Sequence, residues 1–234
     1  MVLFNNAIIN DIVSVDCYPF RKYKISKLKG KIRLIALSLT EWESFKNVDL
    51  TAHPNLQQSY QFFLFSYYTR GMNFIDMMYL KWSNLQNGKI YYTREKTTYP
   101  LVVKILPPVE EIINNFHKQK RSTPFIFPIL LREGMTPNQI FDRKHKALRK
   151  WNKDLKAIAE LAGITNGITS YVARHSYATH MKQKGASIEV ICESLGHSNV
   201  LVTMSYLKQF DNSYLDDENK RLLGEPKIIY KRPA

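Results

Sequence analysis

Apolar positions along this chain recur mostly at the three- and four-residue spacing of helices, and strict alternation is confined to one stretch. Val2, Leu3, Ala7, Ile8, Ile12 and Val13 predict a short amphipathic helix at the start. Thr40 with Glu43 has the spacing of a capping box and predicts a second short helix. A third begins near Pro54 and runs through Tyr60 to Tyr68; at helical spacing those aromatics read as core rather than as a platform for stacking bases. Arg70-Gly71 interrupts it, and a further turn or two spans Asn73 to Leu80. Asn87-Gly88 is a hairpin signal, followed by residues 89–93 and 100–105 of strand composition. Pro107-Pro108 opens a helix through Phe116, and residues 118–134 lack any period and read as loop. Thr136, Pro137 and Gln139 start a long helix that keeps Leu148, Trp151, Leu155, Ile158 and Ala162 on one stripe until Gly163. A helix capped by Thr169 or Ser170 then runs to Lys184. A shorter one carries Ile188, Ile191, Cys192 and Leu195 up to Gly196, and Asn199 caps a last one ending near Tyr206. The fold class predicted is α+β, mostly helical, with a small three-stranded antiparallel sheet.

Composition sharpens this picture at two points. The 234 residues carry 34 Lys and Arg against 20 Asp and Glu, a net charge of +14, so a polyanion such as nucleic acid is the first partner to consider. Arg21, Lys22, Lys24, Lys27, Lys29 and Lys31 crowd into one Pro-punctuated segment, which reads as a solvated linker able to track phosphates. Cys17 and Cys192 form no disulfide framework and no Cys/His group has zinc spacing, so reduced thiols, a cytoplasmic location and neither metal nor cofactor are expected. No apolar run reaches the ~20 residues of a membrane span.

Candidate chemistry concentrates near the end. Tyr171, Arg174, His175 and Ala178 share one helix face. An Arg on an otherwise apolar helix needs a counter-charge once buried, and either a bound phosphate or an internal carboxylate would serve. Leu195-Gly196-His197 puts a histidine where the chain must turn, and Tyr206 follows nine residues later. A tyrosine hydroxyl, with an ordinary pKa near 10, needs help to act as a nucleophile; positive groups on the phosphate and a hydrogen-bonding histidine would supply it.

The stretch from Thr169 through Tyr171-Val-Ala-Arg174-His175 to His180, with Leu195-Gly196-His197 and Tyr206, resembles the catalytic core of the tyrosine recombinases, the phage-type integrases, and most of all those of Bacteroides-type mobile elements. The resemblance covers roughly residues 18–215. It implies the tyrosine recombinase catalytic fold, divided into residues 1–17 as the remnant of an upstream core-binding domain, 18–35 as basic linker, 36–212 as catalytic domain and 213–234 as C-terminal tail. It also implies a site-specific DNA recombinase that cuts and rejoins strands through a 3′-phosphotyrosyl intermediate. Tyr206 would be the nucleophile, Arg174 and His197 would act on the phosphate, and Lys96 would protonate the leaving 5′-oxygen. Two positions depart from the family: Tyr171 stands where its histidine is usual, and Asn73, in Gly71-Met-Asn73-Phe-Ile-Asp76, stands where an arginine is usual. Arg70 is expected to bring the missing guanidinium. His175, Arg21, Lys22 and Lys24 are expected to touch DNA. The implied partner is double-stranded DNA, bound by a homotetramer on paired sites that is monomeric when free. No small-molecule substrate and no membrane are implied. Two other readings stand beside it, a non-catalytic DNA-binding module and a type IB topoisomerase-like nicking-closing enzyme.

Overall fold

The computed structural model describes residues 2–21, 36–119, 122–207 and Asn219, with the backbone alone described for Val2, Arg21, Ser205 and Tyr206. The chain divides into two compact units, residues 1–34 and 35–234. In the first, helix α1 (Val2–Ile9) is followed by 3-10 turns at Val15–Cys17 and Pro19–Arg21. Phe4, Tyr18 and Phe20 meet edge to face, with ring centroids 5.4 to 6.3 Å apart. Tyr18 and Phe20, expected as the start of a linker, thus pack with the opening helix. Lys22 and Lys24 lie outside the described residues.

The second unit is α+β and mostly helical. Its elements are α2 (Leu39–Lys46), α3 (Gln57–Tyr68), α4 (Phe74–Tyr79), β1 (Leu85–Gln86), β2 (Lys89–Thr93), β3 (Pro100–Lys104), α5 (Pro107–Lys118), α6 (Pro137–Leu161), α7 (Val172–Gln183), α8 (Ile188–Leu195) and α9 (Val200–Tyr206). The three strands form one antiparallel sheet in the order β1-β2-β3, with Ile90 opposite Val103 and Tyr92 opposite Leu101. Asn87 and Gly88 turn between β1 and β2 with φ of 50° and 69°, the left-handed pair that a tight hairpin requires. Ile90, Leu101 and Val103 bury one face of the hairpin and Tyr91 and Val102 stay on the other.

The aromatics of α3 are core. Phe62, Phe63 and Phe65 pack against Phe116, Phe127, Phe45 and Trp151. Trp151 donates its indole N–H to the Ser59 carbonyl at 2.9 Å, fixing α6 against α3. Two expected caps are corrected. Ser38, not Thr40, caps α2, because Glu41 at the third helical position closes the box back to the Ser38 amide. Neither Thr169 nor Ser170 caps α7 with its side chain. The Val172 amide bonds the Thr169 carbonyl, and Asn152 Oδ1 on α6 takes the Ser170 amide, so the entry to α7 is set by α6.

The start of this unit is tied to α7. The Leu37 amide donates to Ser176 Oγ at 2.9 Å, and His180 Nε2 lies 2.8 Å from the Leu37 carbonyl. A carbonyl only accepts, so Nε2 carries the proton and Nδ1 accepts from the Tyr67 hydroxyl at 2.8 Å. Burial holds the His180 pKa below its ordinary value, in keeping with this neutral form. Among the described residues no helix is long and apolar enough to cross a membrane.

Candidate active site

α7 carries Arg174 into the interior, where it is 2% exposed. Its Nη1 donates to the Gly71 carbonyl at 2.8 Å and its Nη2 to the Leu195 carbonyl at 2.6 Å. The turn between α3 and α4 makes this approach possible. Arg70 and Gly71 take φ of 60° and 69°, reversing the chain so that the Gly71 carbonyl faces α7. A Cβ on Gly71 would sit 2.7 Å from Arg174 Cγ and 2.9 Å from its Cα. Only glycine lets the two segments come this close.

α8 ends at Gly196 with φ of 61°, and the His197 amide closes back on the Cys192 carbonyl. This places His197 Nε2 3.0 Å from Arg174 Nη2. A guanidinium only donates, so Nε2 is the accepting nitrogen and Nδ1–H donates to Thr203 Oγ1 at 2.9 Å. Burial first, then the charges of Arg174, Arg94 and Lys96, push the His197 pKa down to about 4, so at neutral pH the ring is uncharged. Thr203 lies on α9 one turn before Tyr206, which ends that helix.

Arg174 and His197 line a cavity of about 430 Å³ bounded by α4, the β2–β3 turn, α6, α7 and the α8–α9 turn. Arg174, His197, Lys96 and Tyr171 all line it, so the structure brings four of the expected catalytic residues together. The cavity wall also holds Asn73, Asp76, Arg94 and Lys144. Asp76 accepts from the Glu95 amide at 3.0 Å and faces Arg94 Nε at 3.9 Å. Burial raises its pKa, against the opposing pull of the Glu95 amide, Arg94 and Arg174. Arg94, Lys96 and Lys144 thus line one cavity with Arg174 and a single carboxylate, Asp76.

Two expectations are corrected. Arg70 does not line the cavity; it is half-buried in the turn before Gly71, where its left-handed backbone serves the chain reversal. His175 is not at a DNA-facing surface. It is 4% exposed, packed edge to face on Tyr171 at 4.9 Å, and burial followed by the charge of Arg174 lowers its pKa to about 4. It sits one residue from Arg174 on the helix, turned into the fold while Tyr171 stays exposed at the cavity. Sequence reasoning missed Arg94, Lys144 and Thr203. Arg94 stands two residues before Lys96 in the β2–β3 turn, and only that neighbourhood could have drawn notice to it. Among the described residues no group of three or more His, Cys, Asp or Glu side chains gathers as a metal site would require.

A mostly helical domain with one antiparallel sheet and an Arg–His–Lys cavity ahead of a helix-ending tyrosine is the architecture of tyrosine recombinase catalytic domains. The chain resembles the crystal structure of XerA recombinase with a TM-score of 0.58 and 18% identity, over 85% of this chain and 66% of that one. It resembles the Tn1549 transposon integrase, solved in complex with circular intermediate DNA, with a TM-score of 0.61 and 16% identity, over 94% and 76% of the two chains. Residues 36–213 match the phage integrase family, and the chain belongs to it. Among curated relatives it is 38% identical over 85 residues to the tyrosine recombinase XerD of Agrobacterium fabrum, covering 36% of this chain and 23% of that one. It is 30% identical over 145 residues to XerD of Rhizobium meliloti, covering 59% and 43%. The chain therefore spans less than half the length of these two relatives.

Proposed function

We propose that this chain is the strand-cutting part of a tyrosine-type site-specific DNA recombinase, an integrase acting on double-stranded DNA. The observation that carries this reading is one cavity in which Arg174, Lys96 and His197 converge beside the helix ending at Tyr206. Arg174 holds a non-bridging phosphate oxygen through its planar fork. The Tyr206 oxygen bonds to phosphorus as the P–O5′ bond breaks; the phenolic proton passes to solvent, and Lys96 gives one to the departing 5′-oxygen. The product is a 3′-phosphotyrosyl bond and a free 5′-hydroxyl, and the reverse attack by a second strand's hydroxyl reseals the DNA. Tyr171 stands at the cavity mouth as a hydroxyl donor to the same phosphate. Phosphate entering beside Arg174 would offset the positive charges that, after burial, lower the His197 pKa, and so raise it.

The protein would act as a homotetramer on paired sites and be a monomer when free. The basic segment with Arg21, Lys22 and Lys24 would lie along the DNA backbone, ahead of the catalytic domain of residues 36–212 and the tail of 213–234. Its place of action would be the cytoplasm. The experiment is trapping. A duplex selected from a random pool by the Tyr206→Phe chain is nicked beside each phosphate in turn and incubated with the unaltered chain. A covalent protein–DNA adduct that Tyr206→Phe fails to form supports the reading; binding without adduct means a DNA-binding module, as Asn73 in the arginine position would suggest. Relaxation of supercoiled DNA lacking the selected site would instead mark a nicking-closing enzyme.

A further inference from the structure

We propose that Arg94, reaching into the cavity from the β2–β3 turn, is the second phosphate-binding guanidinium of the site, in the role that Asn73 cannot fill and that Arg70 does not approach. This rests on the strand-cutting reading above. Arg94 is 5% exposed and lines the same cavity as Arg174. Its Nη1 donates to the Gly196 carbonyl at 2.7 Å and to the Leu195 carbonyl at 3.3 Å. Arg174 Nη2 donates to that same Leu195 oxygen, so two guanidinium groups are held side by side on one acceptor, at the residue before Gly196-His197.

A side chain serving only to pin the hairpin to the α8–α9 turn needs a donor but not a charge. A buried charge without full compensation is costly. Here the compensation is partial: Asp76 stands 3.9 Å from Arg94 Nε, and among the described residues that buried Nε has no hydrogen-bond partner. Lys96 and Lys144 add positive charge to the same wall. An anion in the cavity would balance this excess, and two fixed forks suit the charge that spreads over the non-bridging oxygens during attack. Asn73, at the start of α4, lines the cavity with an Oδ1 that also has no hydrogen-bond partner among the described residues. Gly196 fits the same arrangement, because a Cβ there would meet Arg94 Cδ at 3.1 Å.

The test compares Arg94→Ala, Arg94→Gln and Arg70→Ala in the full chain, each checked for an unchanged melting midpoint and unchanged affinity for the selected duplex. Adduct formation should slow by about 10²- to 10³-fold in both Arg94 variants and by less than about 3-fold in Arg70→Ala. Replacing one non-bridging oxygen of the scissile phosphate by methyl removes the charge that Arg94 faces, so the gap between Arg94→Gln and the unaltered chain should shrink to under about 10-fold. Adding Asn73→Arg to Arg94→Gln should restore cleavage. Arg94→Gln, which removes the charge but keeps an amide donor and the buried methylene stem, decides the matter if Arg94→Ala does not fold. Cleavage by Arg94→Gln within about 3-fold of the unaltered chain, or an equal loss on both phosphates, would overturn the proposal. Should the unaltered chain form no adduct, the strand-cutting reading falls, and inorganic phosphate titrated against the His197 ring signals then decides Arg94 alone. Affinity weakened about tenfold or more in Arg94→Gln but not in Arg70→Ala would support its phosphate role, and equal affinity would refute it.

Discussion

Gly71→Ala tests the central geometric claim, that Arg174 is placed by a backbone approach only glycine permits. Two costs add. Alanine at φ of 69° pays the left-handed penalty of ~1 to 2 kcal/mol. Its Cβ would also fall 2.7 Å from Arg174 Cγ and 2.9 Å from Arg174 Cα, and the second atom belongs to a helix that cannot swing aside. Overpacking of this kind typically costs a further ~1 to 3 kcal/mol. Gly88→Ala separates the two, because Gly88 has the same φ of 69° with nothing within 4 Å of its Cβ, and so should carry the backbone penalty alone. At ~2 to 4 °C per kcal/mol for a chain of this size, thermal unfolding should show Gly71→Ala melting ~2 to 12 °C below Gly88→Ala. Because the Gly71 carbonyl holds Arg174 Nη1, adduct formation should also drop in Gly71→Ala at temperatures where it remains folded. Equal midpoints for the two variants would mean that α7 yields to the added methyl, and the claim would fail.

Acidification should destabilise the protein between about pH 6.5 and 4, since the unfolded chain takes up protons there that His175 and His197, with pKa near 4 in the fold, refuse. The buried His175 accounts for up to ~3 kcal/mol of this and the more exposed His197 for less, so His175→Gln should flatten the denaturation profile in that window. His180→Leu strands the Tyr67 hydroxyl and the Leu37 carbonyl inside the fold; a loss of ~2 to 4 kcal/mol in urea unfolding is expected, and a loss under ~1 would show the link to be slack. Lys96→Ala should cut a normal phosphodiester poorly but recover on a substrate whose 5′-bridging oxygen is sulfur, because a thiol of pKa near 8.5 leaves without a donated proton. Persistent failure on the sulfur substrate would remove Lys96 from the proton-donor role.

Local signals were legible in the sequence because they act over a few residues. Asn87-Gly88 dictated its hairpin, Thr136-Pro137-Gln139 its helix start, and Gly196 and Asn199 the turn that presents His197, since each is a matter of permitted φ or of one capping bond. The helical spacing of the aromatics in α3 was enough to assign them to the core. The order Arg174, His197, Tyr206 was likewise readable in one dimension. The second arginine was not. Arg70 is nearer Asn73 in the chain, yet its backbone turns at φ of 60° and its side chain stays off the cavity, while Arg94, far along the sequence, arrives there on the β2–β3 turn. That His175 is buried was also undecidable locally, because only packing fixes which positions of a helix lie inside. Sequence determined which elements form and which groups are available; the docking of the hairpin and α7 on one carbonyl oxygen at Leu195 decided which charges meet, because guanidinium groups converge through contacts distant in the chain.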